Sequence, residues 1–450
     1  MPNQTPHSLL FTDLYELTMM QAYHQEGMNG EAVFEVYFRQ LPETRNFLIA
    51  AGIDDVIDAL ENLRLEEGDL DFLRRQNLFS ESFLKTLADF RFQGEVRSVP
   101  EGTVVFPNEP LMQIRAPIQQ AQLIETLVLN QMHVQSMAAA KSARIVHAAQ
   151  GKTVVDFGSR RAHGSDAALK MARAFYLSGG AGTSNVLAGR LYDVPIFGTM
   201  AHSYVQAHVD EREAFAAFAR FYPNTTLLVD TYDTLEGVKQ VIDLVKNHPD
   251  DIQVRAVRLD SGDLLKLAQE SRALLDEAGL SEIKIFASGG LDEHKIAALL
   301  SADAPIDGFG VGSKLAVIND APQMDFVYKL VEYEGRNTLK LSSNKTLIPG
   351  RKQVFRQSEN NQMTGDIVAG AHEEHPGQPL LQVMMQEGKR TPAGQFDLEE
   401  ARTRLRRELA CLPEPLTRLD RAHPPYSVHL SNALEQETQT LRQQYAYHAK

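Results

Sequence analysis

Several short stretches of this chain carry residue types that do chemistry on anions. In VVDFGSRRAHG, residues 154–164, an apolar run meets Asp156, Gly158 breaks it, and Arg160 and Arg161 follow side by side. Planar guanidinium forks are the best side-chain grip on carboxylate and phosphate, so the doublet reads as an anion grip rather than as two solvated surface charges. SGGAGTSN, 178–185, is either a flexible loop or a glycine-rich turn whose N–H groups approach a phosphate. GTMAHS sets His202 beside Thr199, RLDSGD sets Asp260 and Asp263 on either side of Ser261, and ASGG and GVGS supply Gly289, Gly290, Gly312 and Ser313. The acids suit ribose hydroxyls or a magnesium ion. Their bland reading is helix capping, by Ser261 or Asp263, and the two readings are compatible. No HxxxH pair with a third ligand occurs, so a metal held by protein groups alone is not expected. His163, His208 and His294 lack such company and read as structural or surface residues.

These stretches all lie where one strand pattern ends and a helix pattern begins. From about residue 150 to 315 short β-branched runs (KTVVDFGS, VPIFGT, TTLLVDTYDT, QVRAVRLDSGD, IKIFASGG, IDGFGVGS) alternate with helical patterns. Nearly continuous apolar strands are those buried on both faces, and strand–helix–strand connections of this length imply parallel pairing with right-handed crossovers. Polar and small residues cluster at every strand's C-terminal end and at none of the starts. One rim carrying all the chemistry points to an α/β barrel, an irregular TIM-like one, where every strand end meets one mouth. In such barrels the loops after the last two strands commonly hold phosphate, which favours Gly289, Gly290, Gly312 and Ser313. TTLLVDTYDTLEG resembles the ribose loop of type I phosphoribosyltransferases, but its acidic pair is split by Thr231 and Tyr232 and the Thr–Gly–Gly–Thr tail is missing.

The flanks differ. Residues 1–62 read as helix (13–25), strand (32–39) and helix (50–63), and residues 92–115 alternate like antiparallel β. DFVYKLVEYEGRNTLKLSS, from 325, reads as a hairpin turning at Glu334–Gly335. The division expected is an N-terminal α+β domain (1–116), the barrel (117–319), a hairpin segment packing back on the N-terminal domain (320–369) and a helical C-terminal segment (370–450). The net charge of −14 over 450 residues disfavours nucleic acid and anionic membrane as partners. An anionic ligand must then be held by a local concentration of Arg, Lys and backbone N–H. A single cysteine, Cys411, excludes a disulfide framework and fits a reducing cytoplasm. Met1 to Leu10 shows no basic segment followed by an apolar one, so no signal peptide is read.

Taken in order, TDLYELTM (12–19), DFGSRRAHG (156–164), GTSN (182–185), FGTMAHS (197–203), RLDSGDL (258–264) and FGVGS (309–313) resemble the nicotinate phosphoribosyltransferase family, type II phosphoribosyltransferases. The resemblance runs from about residue 9 past 320 and thins beyond 370. It implies an irregular α/β barrel with a strand-rich second domain, working as a cytoplasmic homodimer with shared active sites. It also implies that nicotinate and 5-phosphoribosyl 1-pyrophosphate (PRPP) give nicotinate mononucleotide and pyrophosphate, coupled to ATP hydrolysis, in NAD salvage. Magnesium would arrive bound to substrate, near Asp260 and Asp263. By this resemblance Arg160 and Arg161 face the pyrophosphate, Phe157 offers a ring face to the pyridine, and Arg258 with Thr199 and Ser184 meets the base's carboxylate. Asp260 serves the ribose or the magnesium, Gly289, Gly290, Gly312 and Ser313 cradle the 5′-phosphate, His202 is transiently phosphorylated, and Tyr15 stacks on the ring from the neighbouring subunit. Nicotinamide-using relatives carry aspartate where Ser184 stands, and quinolinate enzymes lack the phosphorylated histidine. A sugar-phosphate barrel enzyme and a silent nucleotide-sensing barrel remain the readings from other classes.

Overall fold

The computed structural model describes residues 8–341 and 347–448. Ser342 and Ser343, which end the expected hairpin, lie outside the described residues, as does most of the N-terminal stretch read for a signal peptide. The chain forms two compact units, residues 1–140 with 323–450, and residues 141–322. No helix among the described residues is long and apolar enough to cross a membrane.

The second unit is built on six parallel strands: β1 (Thr153–Asp156), β2 (Gly182–Thr183), β3 (Thr225–Leu228), β4 (Val254–Leu259), β5 (Lys284–Ala287) and β6 (Gly308–Val311). Their spatial order is β2-β1-β6-β5-β4-β3, every pairing parallel. Ile196 adds a single parallel bridge beside Thr183 on β2. Among the described residues no pairing joins that end to β3, so of the irregular TIM-like α/β barrel expected the hydrogen-bonded strands show a parallel half-barrel. The run VPIFGT contributes only the bridge at Ile196, and the chain next forms the helix His202–Gln206.

Aspartates recur at the starts of the helices that follow these strands. Asp210, Asp233, Asp263 and Asp292 each accept a hydrogen bond from the backbone N–H three residues on, and Asn185 does the same for Val186–Tyr192. Capping satisfies an N–H that the helix itself leaves orphaned. It also sorts the acids of the strand-end loops. Those at cap positions are committed, whereas Asp156, Asp230 and Asp260 are left for other work.

The first unit carries a seven-stranded antiparallel sheet drawn from both ends of the chain. Its order is Arg336–Asn337, Phe326–Tyr333, Glu31–Phe38, Met112–Pro117, Glu95–Ser98, Gln382–Gln386 and Lys389–Arg390. The hairpin turns at Glu334–Gly335, with Glu332 paired to Asn337. A second, four-stranded sheet includes Lys352–Glu359, Gln362–Gly370 and Val428–Leu430.

The division runs differently from the sequence reading at two places. The boundary falls inside the helix Glu125–Ala148, between Ala140 and Lys141, and not at 117. Ser136 on that helix exchanges hydrogen bonds with the backbone of Ala51, which ties its first half to the first unit. No break occurs at 370 either, and the segment beyond it is not purely helical. Gln382–Gln386 and Val428–Leu430 are recruited as strands by partners distant in sequence, Glu95–Ser98 and Gln362–Gly370.

A buried ion cluster anchors the start of the second unit. Glu293, fully buried, accepts from Lys141 Nζ at 2.6 Å and from Arg144 Nε at 3.0 Å, and Lys141 also meets Asp320 at 2.8 Å. Burial pushes the Glu293 carboxyl up, but Lys141 and Arg144 pull harder, and it lies below its ordinary value of 4.5. A carboxyl depressed in the folded state contributes stability above its unfolded value and loses it as pH falls through the folded one. Glu293→Ala removes the carboxylate that Lys141 and Arg144 share, though Lys141 keeps Asp320, and is expected to cost at most about 3–5 kcal/mol. Thermal melting from pH 7 down to 3 checks this. The wild type should lose its advantage over the variant on the acid side of about pH 4, and equal melting at pH 7 would refute the assignment.

Candidate active site

The C-terminal ends of the parallel strands open on a cavity of about 520 Å³. Its lining is contributed loop by loop: Phe157, Arg160 and Arg161 after β1, Ser184 after β2, Thr199 and His202 after the bridge, Arg258 and Asp260 from β4, Gly289 and Gly290 after β5, and Gly312 and Ser313 after β6. Ser159, Gly198, Met200, Ala201, Ser288 and Gly310 complete it. Thus every residue read as a site residue lines one cavity except Tyr15 and Asp263.

Arg258 is the best-connected cation of the cavity. Its side chain is 12% exposed. Nη1 donates to Thr199 Oγ1 at 2.6 Å, Nε donates to Ser288 Oγ at 3.1 Å, and Nη2 meets Asp260 Oδ1 at 3.4 Å. Burial pushes the guanidinium down from its ordinary value, while Asp260 and Asp230 work against that shift and the charge on Arg160 adds to it. Asp260 Oδ1 also accepts from Ser288 Oγ at 2.5 Å. The guanidinium lies 5.5 Å from the centre of the Phe157 ring, a cation–π distance. Phe286 closes on the same ring at 6.1 Å. A Cβ at Gly310 would fall 2.6 Å from the Phe157 ring, so glycine there makes room for it. Arg160 and Arg161, on a 3₁₀ turn, are by contrast exposed.

The histidine sits among oxygens. Nδ1 of His202 is 3.2 Å from Thr231 Oγ1, and Nε2 is 4.0 Å from Asp230 Oδ1. That carboxylate oxygen is buried and accepts no hydrogen bond. The other oxygen of Asp230 accepts from the Asp260 N–H at 3.1 Å and from Ser261 Oγ at 2.5 Å. Asp230 and Thr231 belong to a strand-end cluster of the sequence but are not among the site residues named from it. The usable signal was their place at a strand's C-terminal end. Behind the cavity, Asp156 accepts from the Gly158 N–H and from Thr183 Oγ1, both at 2.7 Å.

Asp263 does not line the cavity. It caps Leu264–Glu277 through the Lys266 N–H, which is the bland reading offered for it. Tyr15 lies on the helix Leu14–Glu26 of the first unit, its ring 45% exposed. Its hydroxyl is raised above the ordinary phenol value by burial and by Glu125 and Glu16, to which it hydrogen-bonds. His208 packs at a tilt against the Tyr204 ring, 4.6 Å between centres, and bonds its carbonyl, a structural role.

Gly289 has φ +94°, and a Cβ there would come within 1.8 Å of the Asp260 carbonyl. Gly289→Ala is expected to destabilise by about 1–3 kcal/mol and to shift Asp260 away from Arg258. Calorimetric melting together with a structure of the variant checks this. An unchanged melting temperature with Asp260 in place would show the loop to be slack.

This chain matches the family models for the nicotinate phosphoribosyltransferase N-terminal domain over residues 10–133 and for the nicotinate phosphoribosyltransferase family over 153–359. It is 54% identical over 433 residues to nicotinate phosphoribosyltransferase pncB2 of Mycobacterium tuberculosis, covering 96% of this chain and 94% of that one. It is 41% identical over 384 residues to the nicotinate phosphoribosyltransferase of Bacillus subtilis, covering 83% and 78%. The crystal structure of human nicotinic acid phosphoribosyltransferase superposes with a TM-score of 0.85 at 29% identity, covering 96% of this chain and 99% of that one. With identity of this extent over nearly the whole length, the chain belongs to the nicotinate phosphoribosyltransferase family.

Proposed function

We propose that the chain joins nicotinate to PRPP, releasing nicotinate mononucleotide and pyrophosphate, and that ATP hydrolysis drives the transfer through a phosphohistidine at His202. The observation that carries the reading is the meeting of an aromatic ring, a half-buried guanidinium, an exposed arginine pair and positive-φ glycines on one cavity. Such a set suits a planar anionic base and a doubly phosphorylated sugar.

In the reaction the pyridine nitrogen attacks C1 of the ribose with its lone pair. The bond from C1 to the pyrophosphate oxygen breaks, and its electrons leave with pyrophosphate. Charge therefore builds in two places, positive at the ribose ring and negative on the leaving group. No general base is needed, and the work is positioning and neutralisation. Phe157 offers its face to the pyridine ring. Arg258, already oriented by Thr199 and Ser288, pairs with the base's carboxylate, and Ser184 donates its hydroxyl to it. Arg160 and Arg161 neutralise the pyrophosphate. Gly289, Gly290, Gly312 and Ser313 turn backbone N–H groups toward the 5′-phosphate.

Magnesium belongs to this scheme as part of the substrate. Among the described residues no group of three or more His, Cys, Asp or Glu could hold a metal. Magnesium bound to phosphates needs only one or two protein carboxylates. Asp260, its side chain about a third exposed at 32%, fits that need, and it equally fits the ribose hydroxyls.

For the ATP step, a nitrogen of His202 attacks the γ-phosphorus and the bond to the bridging oxygen breaks, releasing ADP. Asp230, whose free carboxylate oxygen lies 4.0 Å from Nε2, is placed to offset the positive charge that the ring gains when a nitrogen is phosphorylated. Water later hydrolyses the phosphohistidine. The active unit of this reading is a cytoplasmic homodimer of an NAD salvage pathway, with the exposed Tyr15 ring completing the partner's site.

His202→Ala is expected to abolish ATP hydrolysis and phosphoprotein formation while slow ATP-independent transfer survives. Assays with radiolabelled ATP check it, and unchanged ATP-driven turnover would remove the covalent role. Base selection gives a second test. Two unit charges about 4 Å apart interact by roughly 4 kcal/mol at an effective dielectric near 20. With half of that screened away, Ser184→Asp should lower nicotinate kcat/KM by about 10- to 100-fold and move any remaining preference toward nicotinamide. A folded variant with the wild-type preference would show that Ser184 does not face the carboxylate.

A further inference from the structure

The Asp156 carboxylate bonds no residue that the proposed reaction employs directly, yet Asp156 is 3% exposed at the end of β1. A buried carboxylate is costly unless its oxygens are satisfied. Here Oδ1 accepts the Gly158 N–H at 2.7 Å, and Oδ2 accepts the Thr183 hydroxyl at 2.7 Å. Neither donor is a cation. The first bond closes the turn that carries Arg160 and Arg161. The second crosses to β2, 27 residues on, at the last register position of the pairing, Asp156 opposite Thr183. The same junction continues outward: the Ser184 N–H donates to the Asp156 carbonyl at 2.8 Å, and the Asn185 N–H donates to Thr183 Oγ1 at 3.0 Å. Asn185 then caps the helix Val186–Tyr192 through the Ala188 N–H. Closing its own turn would take only one carboxylate oxygen. The other is spent on the loop that presents Ser184.

We propose that Asp156, through Thr183, is a positioning residue that fixes the distance between the arginine turn at 158–161 and the Ser184 loop, and so determines base selectivity. This rests on the reading that Ser184 meets the base. The bonds, and not the charge, do the positioning. An asparagine can accept from Gly158 with its carbonyl and donate to Thr183 with its amide, since the threonine oxygen has lone pairs to spare.

Four variants decide it: Thr183→Val, Thr183→Ser, Asp156→Asn and Asp156→Ala. Thr183→Val cuts the link from Asp156 to β2 together with the Asn185 N–H bond to the same hydroxyl, and spares the bond from Gly158 to Asp156. It should raise KM for nicotinate by about tenfold or more, lower the nicotinate-to-nicotinamide ratio of kcat/KM, and leave KM for PRPP within about twofold. Thr183→Ser keeps the hydroxyl and should restore all three. Asp156→Asn should stay close to wild type, and Asp156→Ala should raise both KM values. Amide hydrogen exchange gives the direct readout. Protection at Ser184 and Asn185 should fall in Thr183→Val with Gly158 unaffected, and at all three amides in Asp156→Ala. If Asp156→Ala does not fold, the two threonine variants and Asp156→Asn carry the test. The proposal is overturned if Thr183→Val leaves nicotinate KM unchanged, if it raises both KM values alike, or if Asp156→Asn is as damaging as Asp156→Ala. A wild type that transfers nothing to nicotinate would sink the functional reading instead, and the exchange data would still decide the coupling.

Discussion

A guanidinium withdrawn from water is the constraint around which this site is organised. Arg258 cannot shed its proton to relieve the cost of burial, as a lysine might, so its surroundings must supply what water would. Thr199, Ser288 and Asp260 do so with three bonds, and the Phe157 face covers part of the rest. These partners come from different loops: Phe157 from the end of β1, Thr199 from beyond the bridge to β2, Asp260 from β4 and Ser288 from β5. Satisfying one side chain therefore fixes the spacing of four strand ends. A parallel sheet is suited to this because all its strand ends face the same way.

The same economy governs the acids. Seven loop aspartates sit close to this rim or at the helix starts beside it. Asp210, Asp233, Asp263 and Asp292 spend an oxygen on a helix N–H. Asp156 spends both oxygens on donors within its own junction. Of these only Asp260 lines the cavity, and Asp230, behind it and beside His202, alone keeps a buried oxygen without a donor. In a pocket that must hold carboxylate and phosphates, each further free carboxylate would repel the ligand. Capping thus keeps aspartates in turn-forming positions while the helix N-terminus offsets part of their charge.

What could be read from the chain follows from how local each signal is. The alternation of apolar runs and helical stripes, and the polar clusters at the strand ends, are local, and they led to the parallel sheet and to nearly all of the cavity lining. The hairpin at Glu334–Gly335 was equally local. Closure of the sheet was not, because whether VPIFGT pairs along its length depends on partners on both sides, and it makes only the bridge at Ile196. The strand at Gln382–Gln386 was missed for the same reason, since its partner is nearly 300 residues away at Glu95–Ser98. Asp230 and Thr231 were visible as a strand-end pair, but nothing in the sequence says that they face His202.

The cations of the cavity divide by exposure, and the division matches the fate of what each would hold. Arg258 is mostly withdrawn from water and held by three bonds with N–H groups still to offer, as suits a group that must be in place before a small planar anion arrives and must not reorganise when it does. Arg160 and Arg161 are exposed on a one-turn segment. On the proposed reading their ligand is pyrophosphate, which gains charge during the reaction and then has to leave. Charges held in water bind more weakly than charges held in a dry pocket, and a product gripped by two buried arginines would leave slowly. On a chain of net charge −14, local positive potential is needed to draw these anions in, and two solvated guanidiniums at the mouth supply it. On the same reading the well-held Arg258 serves to orient the base, and the exposed pair to let the product go.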